Sequence, residues 1–277
     1  MNVLEEMLRQ YDCSNTEAKL NAIREVMQQI TLSALSDSGF FKKATFYGGT
    51  CLRIFHGLRR FSEDMDFSLL REDKDFDATT YLEGIKKTFA EYGQEVNVAP
   101  KKKTKQSAIQ SAFLKSTTSQ FNLTLERGRL VTIKIEIDTL PPLGFDTEQK
   151  LLLQPQAFFS SCMTLPCLFA GKMHALLFRN WKNRVKGRDW YDFAWYVKKG
   201  IPIHFEHLKK RIAQFHSIDN TDISVEDFHN LLRNKIDHLN IKSALEDVLP
   251  FTENPSEVSI WSRDYFLQLA NMVKLTI

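Results

Sequence analysis

A glycine pair in the first quarter of the chain has the form of a phosphate-binding turn. Gly48 and Gly49 follow the short apolar run 44–47, and a helix is expected to begin at Thr50. A strand that ends in two glycines lets the backbone approach a phosphate, and the new helix directs its free N–H groups at it. We therefore expect this turn to bind a phosphate group.

Asp64 and Asp66 are separated by one apolar residue where the next strand is expected to begin. Alternate residues of a strand point to the same face, so the two carboxylates should lie side by side. Neighbouring carboxylates repel each other unless a cation lies between them. Mg²⁺ is the hard cation that prefers such oxygen ligands.

A third carboxylate is expected from the strand 131–138, where apolar and polar residues alternate. Its polar face carries Glu136 and Asp138; we take Asp138 as the third metal ligand and leave Glu136 open. In a two-metal site, one ion activates an attacking hydroxyl and the other holds a triphosphate. A lone Asp-x-Asp is usually a solvated strand end and a lone Gly-Gly a turn, but in this order and spacing they favour a catalytic site.

The helices and strands that must position these residues differ between the two halves of the chain: strands are predicted only in the first half. We predict an α+β first domain over residues 1–160 with a mixed sheet, and a helical second domain over residues 161–277 that completes the active-site cleft. A connecting stretch is expected around 148–161. The predicted strands are 44–47, 65–70, 95–98, 121–126 and 131–138, and the predicted helices are 14–35, 50–55, 77–92, 164–179, 188–199, 204–216, 224–239 and 257–273.

The composition excludes several classes of protein. The chain has 277 residues, 43% of them hydrophobic, and a net charge of +3, which rules out a disordered tail, a collagen-like fibre and a disulfide scaffold. The four cysteines form no Cys-x-x-Cys pair, so a zinc site is not expected, and they suggest a reducing compartment. The acidic, mixed N-terminus is not a secretory signal and no apolar run spans a bilayer, so we predict a cytoplasmic protein without a membrane partner.

Two segments concentrate positive charge despite the small net charge. Basic residues beside an aromatic ring suit phosphate-backbone binding and base stacking, so we predict that the first segment binds RNA. The second segment fits a solvated loop equally well. The first contains Arg179, Lys182, Arg184, Lys186 and Arg188 around Trp181, and the second contains Lys101, Lys102, Lys103 and Lys105.

Two helical positions near the first segment also carry charge that chemistry could use. A helix lysine usually snorkels to the surface, but Lys172 follows the apolar run 168–170, so we expect it to be partly buried. Asp189 and Asp192 are spaced i, i+3 near a helix start, where acids also complement the helix dipole. Arg188, beside them, could equally be a structural lock between domains.

The first motif resembles a known signature. Gly48-Gly49-Thr50, thirteen residues and then Asp-Met-Asp-Phe at 64–67 is similar to the pattern of the DNA polymerase β-like nucleotidyltransferases. The fuller string GGTCLRIFHGLRRFSEDMDF resembles, more narrowly, the AbiEii/MenT toxins of bacterial type IV toxin–antitoxin systems. AGKMHAL at 170–176 and KGRDWYD at 186–192 match as well, so the resemblance spans about residues 46–195.

The resemblance implies a nucleotidyltransferase-type mixed-sheet domain followed by a helical domain, and it implies roles for individual residues. Thr50 stands where the family pattern has serine, which keeps a hydroxyl and adds a methyl. The implied metal ligands for Mg²⁺ or Mn²⁺ are Asp64, Asp66 and Asp138; the triphosphate contacts are Gly48, Gly49, Thr50 and Ser62; Lys172 neutralises phosphate charge; and Asp189 is a further catalytic acid.

The implied activity is in-line attack of a hydroxyl on the α-phosphate of a nucleoside triphosphate, with release of pyrophosphate. The resemblance further implies a toxin that adds nucleotides to the 3′ end of tRNA and so blocks translation, with a cognate antitoxin as partner. Three alternatives stay open: transfer to a protein or small molecule, nucleotide or RNA binding without turnover, and a metal-dependent nuclease. The basic residues argue against a small acceptor, and the intact Asp64, Asp66 and Lys172 argue against binding alone.

Overall fold

The computed structural model describes residues 3–100, 118–125, 131–179, 185–216 and 223–276. Its contacts group the chain into two compact units. Unit 1 comprises Met1–Gly57, Phe61–Pro141 and Thr147–Cys162, and unit 2 comprises Leu58–Arg60, Pro142–Asp146 and Met163–Ile277. Two short segments from the first half of the chain, 58–60 and 142–146, therefore belong to the unit that the C-terminal half forms.

Unit 1 is built on a seven-stranded mixed sheet in the order β3-β4-β5-β2-β1-β7-β6. β2 runs antiparallel to β1 and parallel to β5, and β1 runs parallel to β7. The prediction of an α+β fold with a mixed sheet is therefore confirmed. The strands are β1 (Ala44–Tyr47), β2 (Asp64–Leu69), β3 (Val96–Pro100), β4 (Thr118–Leu125), β5 (Val131–Asp138), β6 (Thr147–Leu152) and β7 (Phe158–Met163).

In the part of unit 1 that the structure describes, the helices are α1 (Val3–Leu8), α2 (Thr16–Asp37), α3 (Gly48–His56) and α4 (Thr79–Glu91). The helix predicted to begin at residue 14 begins at Thr16, because Asn15 caps it by accepting the Ala18 N–H. The core beside β1 and β2 is aromatic: Phe46 and Phe67 are fully buried and stack at 5.0 Å between ring centroids. Burial of such side chains, at about 1.5–3 kcal/mol each, holds the two strands that carry the motif residues.

Unit 2 is helical, as predicted for the C-terminal half. Ser224 caps α8 in a capping box with Asp227, as its sequence indicated. The aromatic pair Phe169 and Tyr196 stacks at 4.3 Å in its core. The helices are α5 (Leu165–Phe178), α6 (Gly187–Lys198), α7 (Phe205–His216), α8 (Val225–Asp237), α9 (Ile241–Val248) and α10 (Arg263–Asn271), with a parallel pair of two-residue strands, β8 (Ile203–His204) and β9 (Leu275–Thr276).

Two predictions about elements were wrong. The stretch 148–161, expected to be a connection, contributes β6 and β7; β6 alternates exposed and half-buried residues, so no apolar face announces it. The helix expected over 257–273 begins only at Arg263, where Ser262 caps it. The short helix α9 was missed. No helix among the described ranges combines the length and the apolar character needed to cross a membrane.

Candidate active site

The glycine turn is held against strand β2. Gly48 has φ +85°, and a Cβ placed there would overlap the carboxylate of Asp66. Thr50 is fully buried in the first turn of α3, and its hydroxyl donates to the backbone carbonyl of Asp64. The turn and the aspartate pair, sixteen residues apart at Gly48 and Asp64, thus form one rigid arrangement.

The first turn of α3 keeps the features needed to bind an anion. The first N–H groups of a helix have no partner within it, and they carry the positive end of the helix dipole. The hydroxyl hydrogen of Thr50, by contrast, is engaged by Asp64, so Thr50 serves the turn itself. A contact between Thr50 and a triphosphate stays a prediction. Ser62 is half-buried, and its carbonyl accepts a hydrogen bond of 2.9 Å from Gln28 on α2.

The aspartate pair lies on one face of β2, as the alternation predicted. Asp64 and Asp66 are half-buried, while Met65 and Phe67 are fully buried on the opposite face. Because the apolar side chains anchor the strand, the two carboxylates are presented together at a fixed spacing. This is the donor set that a hard divalent cation prefers.

The register of β2 against β5 identifies the nearest further acid. Asp66 is paired with Glu136, and Ser68 with Asp138. Paired residues of adjacent strands point to the same face, so Glu136 lies beside Asp66 while Asp138 lies one pair further along. Asp138 is buried and accepts a bond from the Leu140 N–H at 3.2 Å. The register favours Glu136 as the third carboxylate; the assignment to Asp138 stays a prediction.

Lys134 provides a counter-charge beside the acids. It forms an ion pair with Glu136 and is paired in register with Asp64. Burial lowers the pKa of Lys134, but the hydrogen bond to Glu136 and the charges of Glu136, Asp64 and Asp66 outweigh burial and raise it above its usual value. The lysine therefore stays charged and reduces the repulsion between the carboxylates. Asp64 and Asp66 offer the oxygen donors that a divalent cation prefers. Among the described residues, they do not form a group with a third acid in which all the ligand atoms lie within 4.8 Å of one another.

A second charged arrangement lies within unit 2. Lys172 Nζ is 2.6 Å from Asp189 Oδ1 and 2.8 Å from Asp192 Oδ2. Arg60 donates two hydrogen bonds to the same Asp192, from Nε to Oδ1 and from Nη2 to Oδ2, each 2.6 Å long. Two cations and two anions thus balance in a group that is almost entirely buried. We call these four residues the buried ion cluster.

Electrostatics keep the buried ion cluster charged. Burial raises the pKa of Asp192, but Arg60 and Lys172 outweigh it, so the net pKa lies below its usual range. Burial likewise lowers the pKa of Lys172, and the charges of Asp189 and Asp192 reverse that and raise it. Lys172 is therefore a charged, positioned lysine, not a snorkelling one. An ammonium group has three donors, and the two aspartates account for two of them.

Arg60 is the functional candidate that the sequence analysis missed. It lies inside the resembling string, but its partner is 132 residues away along the chain. No local spacing could indicate that pair. The only available signal was the presence of Asp192 in a separate block of the same resemblance.

The predicted RNA-binding residues divide into three groups. Arg179 is exposed at the end of α5, and Lys186 is half-buried before α6. Arg188 is engaged within unit 2: its guanidinium lies 4.0 Å from the Phe251 ring centroid, and its backbone N–H points to Asp247 Oδ2 at 3.4 Å. Arg188 thus serves as a lock inside unit 2. Lys182, Arg184 and Trp181 lie outside the described residues, as do Lys101, Lys102, Lys103 and Lys105.

Gly187 lies in the matching segment 186–192, at a position where the packing leaves no room for a side chain. A Cβ at this position would overlap the backbone carbonyl of Ala244 on α9. The close approach sets the start of α6 and hence the place of Asp189 in the first turn of that helix. Glycine here is required by packing.

Asp146, Cys167 and His204 place an oxygen, a sulfur and a nitrogen within 4.8 Å of one another in unit 2. His204 precedes α7, and its Nδ1 accepts the backbone N–H of His207 at 3.2 Å. A neutral imidazole that accepts at Nδ1 carries its proton on Nε2, the nitrogen nearer Asp146. In this tautomer the ring has no lone pair for a metal, so this trio carries no metal assignment.

The fold is similar to those of two solved structures, one of them a nucleotidyltransferase toxin. MenT4, a nucleotidyltransferase toxin from Mycobacterium tuberculosis, aligns with a TM-score of 0.60 and 17% identity, over 96% of this chain and 87% of that one. JHP933 from Helicobacter pylori aligns with a TM-score of 0.53 and 17% identity, over 91% and 89%. At this identity the likeness shows the fold alone. No curated protein sequence matches the chain significantly.

The sheet, the glycine turn and the paired aspartates define the class of nucleotidyltransferases. Residues 30–269 match the family described as the nucleotidyl transferase AbiEii toxin of type IV toxin–antitoxin systems. The chain belongs to this family and is a nucleotidyltransferase. Membership implies a nucleoside triphosphate as substrate and an antitoxin as partner.

Proposed function

We propose that this chain transfers nucleotides from a nucleoside triphosphate to the 3′ end of an RNA, with tRNA as the acceptor, and so inhibits translation. The observation that carries the proposal is the contact between the glycine turn and β2. Gly48 leaves room for the Asp66 carboxylate, and the Thr50 hydroxyl donates a hydrogen bond to the Asp64 backbone carbonyl. A phosphate-binding turn and a carboxylate pair held together are what phosphoryl transfer requires.

The residues of unit 1 receive the following roles. The backbone of Gly48, Gly49 and Thr50, with Ser62 nearby in sequence, binds the triphosphate. Asp64 and Asp66, with Glu136 or Asp138, would hold Mg²⁺ or Mn²⁺. When bound, the ion would supply charge stabilisation and lower the pKa of the attacking hydroxyl. Lys134 limits the repulsion between these acids.

In unit 2, Lys172 is proposed to neutralise phosphate charge. Asp189 and Asp192 use two of its three donors and fix its direction, and the remaining donor is suited to a phosphate oxygen. Asp189 positions Lys172. Arg179 and Lys186 are proposed to contact the acceptor RNA through its phosphates, together with Lys182 and Arg184.

A second candidate is transfer to a protein or a small molecule by the same residues. In this alternative, Asp64, Asp66 and Lys172 have the same roles, and only the acceptor of the nucleotide differs. The half-buried Lys186 and exposed Arg179 at the end of α5 favour a polyanionic acceptor. Cytoplasmic location and a cognate antitoxin complete the proposal.

Incubation of the purified chain with Mg²⁺, each labelled triphosphate and total tRNA tests the acceptor. Label should enter the RNA and be lost in Asp64→Asn and Lys172→Ala, and it should persist in Lys242→Ala, which alters an exposed lysine on α9. Label in protein or small molecules would replace the RNA acceptor with the second candidate. Nucleotide binding without incorporation into any acceptor would leave a binding protein.

A further inference from the structure

A pocket of about 190 Å³ lies within unit 2 where three helix ends meet. The end of α5, the first turn of α6 and the end of α8 form it. Leu176, Trp190 and Leu239 give it apolar walls. Trp190 is fixed there, because its ring packs against Phe266 at 5.0 Å between centroids. The walls are therefore preformed.

The rim of this pocket is basic. Arg179, Lys186, Lys235 and His238 all line it. Lys235 is half-buried, and among the described residues no carboxylate pairs with it. Burial lowers the pKa of Lys235 below its usual value. A cation in this position is stabilised by an anionic ligand.

His238 adds a directed group to the same rim. Its Nδ1 is 2.8 Å from the backbone carbonyl of Asn234. A carbonyl only accepts hydrogen bonds, so Nδ1 carries a proton, and Nε2 is the nitrogen left to bond to a ligand. With the proton on Nδ1, Nε2 can accept a hydrogen bond from a hydroxyl of a ligand.

The pocket adjoins the buried ion cluster. Asp189, which bonds to Lys172 at 2.6 Å, is itself one of the lining residues. A ligand group in the pocket would therefore lie one side chain away from Lys172. Whole ligands generally need pockets of about 300–1,000 Å³, so a volume of 190 Å³ suits one part of a larger substrate.

We propose that this pocket binds a single nucleotide unit, with the base against Leu176 and Leu239, the phosphate at Lys235 and a sugar hydroxyl at His238 Nε2. The assignment deepens the proposed function and rests on it. Apolar walls and a basic rim match a nucleotide, whose base is flat and weakly polar and whose phosphate is anionic. The unit belongs either to the triphosphate donor or to the terminal residue of the acceptor RNA, and binding experiments separate the two.

The experiment measures binding of each labelled triphosphate and of end-labelled tRNA to the purified full chain. Lys235→Ala should weaken one of these ligands about tenfold, as expected for loss of a charge-assisted hydrogen bond. Lys235→Glu should weaken it further, and Lys235→Arg should restore most of the affinity. Weaker triphosphate binding assigns the pocket to the donor, and weaker tRNA binding assigns it to the acceptor.

Lys242→Ala is the matched control, since it removes an exposed lysine from α9 outside the pocket. Basic side chains at the ends of α5 and α8 also complement helix dipoles. If that is their whole role, Lys235→Ala will lower thermal stability and leave both affinities unchanged, which overturns the proposal. If Lys235→Glu does not fold, Lys235→Gln replaces it in the binding series.

The outcomes for the pocket and for the proposed function are separate. A wild-type chain that binds a nucleotide through Lys235 but transfers none keeps the pocket and refutes the transfer reaction. If the Lys235→Ala variant labels tRNA as the wild type does, the transfer reaction is supported and nucleotide binding in the pocket is refuted.

Discussion

Gly48 lies so close to the carboxylate of Asp66 that no side chain fits between them. The contact joins a turn suited to phosphate to a strand suited to metal. It also makes residue 48 a point where a single methyl group should disturb catalysis without removing any charged group.

Gly48→Ala should therefore reduce nucleotide transfer at least about a hundredfold, as loss of positioning of a reacting group does. Gly57→Ala is the control, because Gly57 also has positive φ, +73°, but a Cβ there would meet nothing within 4 Å. Both variants bear the left-handed strain, and only the first displaces Asp66. Equal transfer rates for the two, measured beside their thermal unfolding, would contradict the role given to this contact.

Glu136→Gln should weaken activation by Mg²⁺ more than Asp138→Asn does. The register places Glu136 beside Asp66 and Asp138 beside Ser68. We expect an increase of about 10–100-fold in the Mg²⁺ concentration needed for half-maximal transfer in Glu136→Gln, the range seen when a group supporting a metal site is removed. A larger effect from Asp138→Asn would restore Asp138 as the third carboxylate.

Arg60→Met should destabilise the protein by about 3–5 kcal/mol, because it removes one partner of a buried ion pair and leaves Asp192 charged at 0% exposure. The double variant Arg60→Met with Asp192→Leu should recover much of that loss, since no charge is then left without its partner. Urea unfolding measures both.

Arg59→Met supplies the control for this series. Arg59 is 68% exposed and pairs with Glu257, so its loss should cost less than about 1 kcal/mol. A double variant as unstable as Arg60→Met alone would show that Arg60 and Asp192 do not act as a pair.

His207→Leu should stabilise the protein, and more so in acid. His207 is fully buried on α7, and within the described residues neither ring nitrogen has a hydrogen-bond partner. Burial lowers the pKa of His207 from 6.5 to about 3. The unfolded chain takes up a proton below pH 6.5 and the folded chain does not, so wild-type stability is lost as pH falls through that window.

The leucine variant lacks this loss. Its advantage in free energy of unfolding should grow by about 2 kcal/mol between pH 7.5 and pH 5, at about 1.4 kcal/mol for each pH unit below 6.5. An advantage independent of pH would mean that the folded state protonates His207.

Sequence patterns predicted the parts of the site that are local. The turn at Gly48, the alternation of Asp64 and Asp66 with buried Met65 and Phe67, and the helix start at Ser224 each depend on residues within a few positions. They were correct because strand alternation and helix capping act over that distance.

What the sequence did not reveal depends on pairs far apart. The preference for Glu136 comes from the register of β2 against β5. The spacing of residues along one strand does not indicate which residue of the neighbouring strand each one faces. Arg60 and Asp192 are 132 residues apart along the chain. The cation–π contact of Arg188 with the Phe251 ring is likewise a tertiary contact. The strand β6 was missed because it is half-exposed and carries no apolar face.

The assignment of Leu58–Arg60 to unit 2 bears on how the protein is synthesised. The ribosome releases Arg60 long before the helix that carries Asp192 exists, so this arginine leaves the exit tunnel without its anion. Unit 2 reaches its final charge balance only after α6 has emerged. A C-terminal fragment that begins at residue 163 would have Asp192 and Lys172 but no Arg60, and so it would not be an autonomous folding unit. Attempts to divide this protein into separately expressed halves should retain the segment 58–60 in the helical half.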